Sequence, residues 1–171
     1  MDSVLQRVND RTAKIVVVGQ GYVGLPVAIR ASQVGFGDVV GFEISAERVK
    51  ALQAGTSFVG DISDAEVAEA LERSYRASDD HNDLAGFDVA VISVPTPLTD
   101  GMPDLSFIQH AGTTLGAHLH RGACVVLEST TYPGTTAELL GPILEEASGL
   151  GPGDFLLGYS PERIDPGNQT H

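Results

Sequence analysis

Three glycines near the start of the chain are spaced for binding an anion. Gly19, Gly21 and Gly24 form the pattern G-x-G-x-x-G directly after the uncharged, β-branched residues 15–18. In such a turn the first glycine allows a tight bend, the second lets a diphosphate approach the backbone, and the third lets the following helix pack close to the strand. Free N–H groups and the helix dipole favour negative charge there. The pattern predicts a dinucleotide site, and a purely structural glycine turn is the alternative.

An acidic residue after the second apolar run bears on which dinucleotide is bound. Glu43 lies nineteen residues after Gly24 and follows the apolar residues 39–42. A carboxylate at this place binds the ribose hydroxyls of a dinucleotide and repels a 2′-phosphate, so NAD is favoured over NADP. An ordinary solvated charge is the alternative for Glu43. Arg48, the nearest cation, is either a contact for the adenosine end of the cofactor or a surface residue.

The elements that must position these residues alternate between apolar runs and amphipathic stretches. The predicted strands cover residues 15–18, 39–42, 75–78, 87–94, 123–127 and 155–159. The predicted helices cover residues 22–34, 45–53, 104–120, a short stretch after the capping box of Ser63 and Glu66, and a stretch from Thr135. In the first helix, Val23, Val27, Ala31 and Val34 are predicted to face inward.

This alternation predicts an α/β fold with a doubly wound, mainly parallel, six-stranded Rossmann-like sheet in the order 3-2-1-4-5-6. Residues 1–13 are predicted to be a polar leader with at most a short frayed helix, and residues 14–171 a single NAD-binding domain. Polar clusters at 95–97, 129–131 and 161–163 follow three of the strands. Because ligands bind at the carboxyl ends of such strands, the clusters are candidates for one site, with ordinary loop residues as the alternative.

Composition excludes several classes of function. Ten basic and 23 acidic residues give a formal charge of −13, which opposes nucleic acid binding. There is no apolar run of membrane-spanning length and no signal peptide, so a cytoplasmic location without membrane contact is expected.

Cys124, the single cysteine, lies in an apolar run and is predicted to be a small hydrophobe. His118 and His120 are two residues apart on a predicted helix and point to different faces, so no metal site is expected. Their expected role is to interact with the helix dipole.

Four ordered segments resemble a known family. They are GQGYVGLPVA at 19–28, VPTPL at 94–98, ESTTYPGTT at 128–136 and SPERIDPGN at 160–168. Together they resemble the N-terminal NAD-binding domain of the UDP-glucose/GDP-mannose dehydrogenase family. The third and fourth segments are most similar to its UDP-N-acetyl-D-mannosamine/glucosamine 6-dehydrogenase branch. The resemblance covers nearly the whole chain after residue 13.

The resemblance implies the four-electron oxidation of the sugar 6-hydroxyl of a UDP-N-acetylhexosamine to a carboxylate, with two NAD in succession. The implied cofactor site comprises Gly19, Gln20, Gly21, Tyr22, Val23, Gly24, Glu43, Arg48, Val94, Pro95, Thr96, Ser129 and Thr130. Thr130 is also implied to position the water or hydroxyl near the nicotinamide. Glu162 is implied as a proton acceptor or water-orienting carboxylate, and Arg163 and Ile164 as backbone contacts to the sugar.

The chain departs from the family in three respects. Glu43 stands where many members carry Asp, and Pro166 stands where the UDP-glucose branch carries another glutamate, so Pro166 is given no role. The family's nucleophilic cysteine, its lysine and asparagine, its central dimer helix and its UDP-binding domain lie further on, and Cys124 matches no such position. We therefore expect an N-terminal fragment that is monomeric and has little turnover by itself.

We expect the full-length protein to bind a UDP-sugar as a homodimer or larger assembly. The main alternative is a stand-alone, non-catalytic dinucleotide-binding module. A third interpretation is another β-hydroxyacid-type dehydrogenase that shares only the Rossmann half, and the segment around Glu162 argues against it.

Overall fold

In the computed structural model, which describes residues 3–99 and 101–161, six strands form one parallel sheet. The strands in chain order are β1 (Lys14–Val18), β2 (Asp38–Phe42), β3 (Tyr75–Ser78), β4 (Val89–Ile92), β5 (Leu98–Thr99), β6 (Met102–Pro103), β7 (Cys124–Leu127) and β8 (Leu156–Tyr159). The sheet order β3-β2-β1-β4-β7-β8 confirms the predicted doubly wound topology. Strands β5 and β6, which are not among the predicted strands, form a separate antiparallel hairpin.

Helices cover both faces of the sheet. They are α1 (Val4–Asn9), α2 (Gly24–Gln33), α3 (Ala46–Gln53), α4 (Asp64–Arg73), α5 (Ser106–Gly116) and α6 (Gly141–Ser148), with a 3₁₀ turn at His81–Leu84 and a π-helical turn at Thr135–Leu140. Successive residues of β1 face opposite sides, so Val16 belongs to a core cluster with α5 and α6, and Val17 to a second cluster with α2, α3 and α4. Burial on both faces explains the uncharged β-branched run.

The predicted helix caps in this part of the chain are confirmed. The Ser45 hydroxyl accepts a hydrogen bond from the Arg48 N–H at the start of α3. Ser63 and Glu66 form a complete capping box at α4, in which each side chain accepts from the other residue's backbone N–H. Gly55, just after α3, has a φ of +77°, a conformation that favours glycine.

The inner face of α2 differs in part from the prediction. The fully buried residues of α2 are Gly24, Leu25, Ala28, Ile29 and Ser32. Of the predicted residues, Val27 and Ala31 are partly buried and pack against the same core cluster, Val23 is half-buried, and Val34 is exposed. The contact of Gly24 with the strand end explains the difference. Because a Cβ at Gly24 would lie 1.8 Å from the Gly19 carbonyl oxygen, this side of the helix is pressed against β1. The residues that share the side of Gly24 are therefore the buried ones.

The helix after β4 is shorter than predicted. It ends at Gly116 rather than His120, and its N-cap is Leu105, although the Asp104 carboxylate accepts a hydrogen bond from the Ser106 N–H at 2.9 Å. His120 lies beyond the helix, with Nε2 2.8 Å from the Phe87 carbonyl oxygen, so the predicted interaction of His120 with the helix dipole is wrong. Strand β4 is also shorter than the predicted 87–94.

The residues predicted as a polar leader contain a packed helix rather than a frayed one. Ser3 caps α1 by accepting a hydrogen bond from the Gln6 N–H, and Val4 is buried. Arg7 forms a salt bridge of 2.6 Å with Asp88, at the start of β4. The Lys14 N–H also donates to Asp88, so this carboxylate joins α1 to the amino-terminal edge of the sheet.

Candidate functional site

A cavity of about 690 Å³ opens at the carboxyl ends of the central strands. It lies where the strand order reverses between β1 and β4, which is the usual place for a ligand in this architecture. The structure brings most of the predicted cofactor residues to its walls: Gly19, Gln20, Gly21, Tyr22, Val23, Glu43, Arg48, Val94, Pro95, Thr96, Ser129 and Thr130. Gly24 is not among the lining residues, because it packs against the strand end.

Two glycines of the turn are packed against protein atoms, and the third borders open space. Gly19 has a φ of +89°, and a Cβ there would lie 2.9 Å from the Ser93 carbonyl oxygen. Gly24 touches Gly19, as described above. A Cβ at Gly21 would meet nothing within 4 Å. The backbone at Gly21 is therefore accessible from the cavity, which is what the approach of a diphosphate requires.

Glu43 is a buried carboxylate rather than a solvated surface charge. Its exposed fraction is 6%, and it lies directly after β2. Glu43 Oε2 accepts a hydrogen bond from the Gln20 N–H at 3.3 Å, and Oε1 accepts one from the Ser45 N–H at 3.0 Å. Main-chain donors thus hold both oxygens at the cavity wall, beside the glycine turn.

Arg48 lies at the same end of the cavity. Its guanidinium is 3.6 Å from Glu43 Oε2 and stacks over the Phe58 ring, 5.1 Å from the ring centroid. The side chain of Arg48 is 54% exposed, so this ion pair is screened by solvent. Arg48 therefore lines the cavity and is at the same time exposed to solvent, so both alternatives for its role remain predictions.

The Gln20 side chain does not face the cavity. It is fully buried, and its amide donates to the carbonyl oxygens of Val17 and Gly19. The Gln20 side chain is therefore not available to a ligand, and the backbone N–H of Gln20 is already paired with Glu43.

At the opposite end of the cavity, hydrogen bonds join the loops that follow β4 and β7. The Ser129 hydroxyl donates to the Val94 carbonyl oxygen at 2.7 Å, and the Thr96 hydroxyl donates to the Thr130 carbonyl oxygen at 2.6 Å. Ser129 is buried and its hydroxyl is used in this contact, whereas Thr130 is exposed to the cavity. These two bonds set the width of the cavity at this end.

Helix α5 supplies a wall that the sequence analysis missed. Phe107, His110, Ala111 and Thr114 line the cavity. Their spacing of three or four residues places them on one side of the helix. The spacing is visible in the sequence, but the tertiary structure decides that this side of the helix borders the cavity. Other lining residues that were missed are Ile44, Ser45, Ser93 and Glu128.

Several predictions concern other chemistry. Glu162, Arg163, Ile164 and Pro166 lie outside the described residues. Within residues 3–99 and 101–161, no group of three or more His, Cys, Asp or Glu is placed to hold a metal ion. Cys124 is half-buried in β7, and burial raises the pKa of its thiol, which disfavours the nucleophilic thiolate. The same described residues contain no helix with the length and apolar character needed to cross a membrane.

Comparison with known proteins connects this geometry to a family. The model of the UDP-glucose/GDP-mannose dehydrogenase family, NAD binding domain, matches residues 13–171. A UDP-N-acetyl-D-glucosamine 6-dehydrogenase from Pseudomonas aeruginosa is 42% identical over 163 residues, which is 92% of this chain and 37% of that protein. A UDP-N-acetyl-D-mannosamine dehydrogenase from Pyrococcus horikoshii is 40% identical over 157 residues, which is 90% of this chain and 37% of that protein.

Solved structures agree with the sequence comparison. A UDP-D-ManNAc dehydrogenase from Pyrococcus horikoshii superposes with a TM-score of 0.83 at 40% identity, over 90% of this chain and 37% of that one. A ternary complex of GDP-mannose dehydrogenase from Pseudomonas aeruginosa gives 0.81 at 27% identity, over the same shares. The chain thus spans just over a third of the length of these relatives. Its sheet order, its four ordered segments and the matched family model together show that the chain belongs to the UDP-glucose/GDP-mannose dehydrogenase family, of which it contains the NAD-binding domain.

Proposed function

We propose that this chain is the cofactor-binding part of an NAD-dependent nucleotide-sugar 6-dehydrogenase. The proposed reaction oxidises the sugar 6-hydroxyl of a UDP-N-acetylhexosamine to a carboxylate. One observation supports the cofactor role above the others: the open backbone at Gly21 and the buried carboxylate of Glu43 lie in the wall of one cavity. The substrate class rests on the 42% and 40% identical relatives, both of which are named for UDP-N-acetylhexosamines.

The residues present fit NAD. In the proposed arrangement, the glycine turn binds the diphosphate through the backbone that begins at Gly21, because Gly21 leaves room for it on the cavity side. The N–H groups of Gly19 and Gln20 shape the turn instead, since they donate to the Phe42 carbonyl oxygen and to Glu43. Glu43 binds the adenosine ribose, and its negative charge opposes the 2′-phosphate of NADP. Arg48, which stacks on Phe58, contacts the adenosine end.

The other end of the cavity is proposed to hold the reacting groups. When bound, NAD would supply the acceptor for a hydride from the carbon that carries the hydroxyl. Over the full reaction the primary alcohol gives up two hydrides in succession and gains one oxygen atom from water. Thr96 lines the cofactor site there, Thr130 positions the water or hydroxyl, and Glu162 accepts a proton or orients the water. Arg163 and Ile164 contact the sugar through their backbone.

The stoichiometry of the full-length protein tests this proposal. We expect two NADH for each UDP-N-acetylhexosamine consumed, and slower turnover with UDP-glucose or GDP-mannose. Glu162→Gln should reduce kcat more than it raises KM, because a proton acceptor acts on the reacting atoms rather than on affinity. One NADH per sugar would contradict the four-electron reaction, and a change confined to KM would remove Glu162 from the chemical step.

Assembly and location are proposed separately from the reaction. We expect this chain to be a monomer and the full-length protein a homodimer or larger assembly, to be measured by light scattering of each. A cytoplasmic location is supported by the single cysteine, since disulfide frameworks are typical of oxidising compartments. Fractionation of the producing cells tests the location.

A further inference from the structure

A buried polar contact connects the glycine turn to an edge of the sheet. Gln20 Nε2 donates to the Val17 carbonyl oxygen at 2.9 Å and to the Gly19 carbonyl oxygen at 3.2 Å. Gln20 Oε1 accepts the hydroxyl of Tyr75 at 2.9 Å. Both N–H groups and the oxygen of this side-chain amide are therefore paired, which orients a residue that lies between two glycines of the turn.

The tyrosine reaches this amide across an intervening strand. Tyr75 belongs to β3 and Gln20 follows β1, with β2 between them. The contact between Gln20 and Tyr75 lies over Gly41 of β2. A Cβ at Gly41 would be 2.3 Å from Gln20 Oε1 and 2.6 Å from a ring carbon of Tyr75. A glycine inside a strand weakens the strand, and here its absent side chain makes room for the contact between Gln20 and Tyr75.

The backbone of the same glutamine holds the carboxylate proposed to bind ribose. The Gln20 N–H donates to Glu43 Oε2 at 3.3 Å, while its side chain is held by Tyr75. Fixing the side chain of one residue also restricts the direction of its N–H. The phenol on β3 and the carboxylate after β2 are thus connected by hydrogen bonds through Gln20.

Tyr75 is well suited to a permanent donor role. Its exposed fraction is 2%. Burial raises its pKa far above the ordinary value for a phenol, and the negative charge of Glu43 raises it further. The hydroxyl therefore keeps its proton at every pH at which the protein would be assayed.

We infer that Tyr75 is a positioning residue for cofactor selection: its hydroxyl orients Gln20, and the Gln20 main chain holds Glu43 at the adenosine-ribose end of the cavity. Tyr75 is not among the residues that line the cavity, so it acts through Gln20 rather than by contact with the cofactor. The inference rests on the proposed ribose role of Glu43.

Calorimetric titration of this chain with NAD and NADP tests the inference through Tyr75→Phe. Loss of one buried hydrogen bond should raise the Kd for NAD about five-fold and change the Kd for NADP less, so that preference for NAD falls. Ser74→Ala is the matched control. Its hydroxyl donates to the Phe36 carbonyl oxygen at 2.6 Å, away from the cavity, so this variant should lose stability and keep its cofactor preference.

Two further variants separate the possible outcomes. Gln20→Met removes the acceptor of the same bond and should lower the preference for NAD as Tyr75→Phe does, which also covers the case in which Tyr75→Phe does not fold. Adding Tyr75→Phe to Glu43→Ala should change the preference no further, because the effect passes through Glu43.

If Glu43→Ala lowers the preference and both Tyr75→Phe and Gln20→Met leave it unchanged, the inference is overturned and the ribose role stands. If Glu43→Ala itself leaves the preference unchanged, the ribose role fails, and the role of Tyr75 fails with it.

Discussion

The two ends of the cavity are built differently. At the β1–β2 end, Gln20 and Glu43 are buried, and side-chain and main-chain hydrogen bonds hold both of them. At the β4–β7 end, Thr130 is exposed, and the loops are joined by contacts of hydroxyl groups with carbonyl oxygens. One end is a buried polar network and the other a pair of joined loops.

This difference predicts different functions for the two ends of the cavity. Buried, fully paired groups hold their geometry before a ligand arrives, which suits recognition of a part of the ligand that does not change during the reaction. Exposed loops are more mobile and can adjust to the reacting end of the ligand. We therefore expect substitutions at the β1–β2 end to change affinity and cofactor choice, and substitutions at the β4–β7 end to change turnover.

The strongest test of the β1–β2 end is Gly21→Val. A Cβ at Gly21 meets no protein atom within 4 Å, and the side chain of the variant would occupy the cavity at the place proposed for the diphosphate. Affinity for NAD should fall about 100-fold or more, because several charge-assisted hydrogen bonds are lost. Gly37→Val is the control, since Gly37 also has open space around it but does not line the cavity. Equal affinities of wild type and Gly21→Val by calorimetry would contradict the site.

A smaller effect is expected from Glu43→Ala at the same end. Its carboxylate is proposed to accept hydrogen bonds from the ribose, so the Kd for NAD should rise about ten-fold. The Kd for NADP should rise less, because the charge that opposes the 2′-phosphate is also gone. An equal loss for the two cofactors, measured in the same titration, would count against the ribose role.

At the β4–β7 end, Thr130→Val should act on the chemical step. In the full-length protein we expect kcat to fall about five-fold, the effect of one lost hydrogen bond, with little change in the Kd for NAD. Thr131→Val is the matched variant, because the Thr131 hydroxyl is paired with that of Thr135 at 2.7 Å and Thr131 does not line the cavity. If Thr131→Val lowers kcat more, the positioning role belongs to Thr131.

The smallest effect on binding is expected far from both ends, at the cap of α4. Ser63→Ala should lower the free energy of unfolding by about 1 kcal/mol and leave the Kd for NAD unchanged.

The hydrogen bonds from Ser63 lower the pKa of Glu66 in the folded protein. The stabilisation from Glu66 is therefore present at neutral pH and is lost as the pH falls below about 4. Chemical denaturation at pH 7 and pH 3 checks both statements, and a change in NAD affinity would mean that the two ends are not independent of the outer helices.

Much of the fold could be predicted because its signals are local. The β-branched runs, the Ser63–Glu66 box and the glycine spacing each appear within a few residues, and all are confirmed as structure. The predicted inner face of α2 is confirmed only in part, and the predicted end of α5 is wrong, because each is decided by a contact with another element. Gly24 against Gly19 sets the rotation of α2. The glycine motif predicts this close packing, but the spacing of apolar residues in the helix does not show which side of α2 it buries.

The sequence by itself determined that a strand, a glycine turn, a helix and an acidic residue follow one another in the order that a dinucleotide requires, since spacing and polarity along the chain are sufficient for that. Only the tertiary structure decided that Gln20 turns inward, that Tyr75 reaches it over Gly41, and that α5 forms a wall of the cavity. Tyr75 and Gln20 are separated by 55 positions. Packing of the sheet brings them together, and the physical reason for their contact is a space between strands that exists only after β1, β2 and β3 have paired.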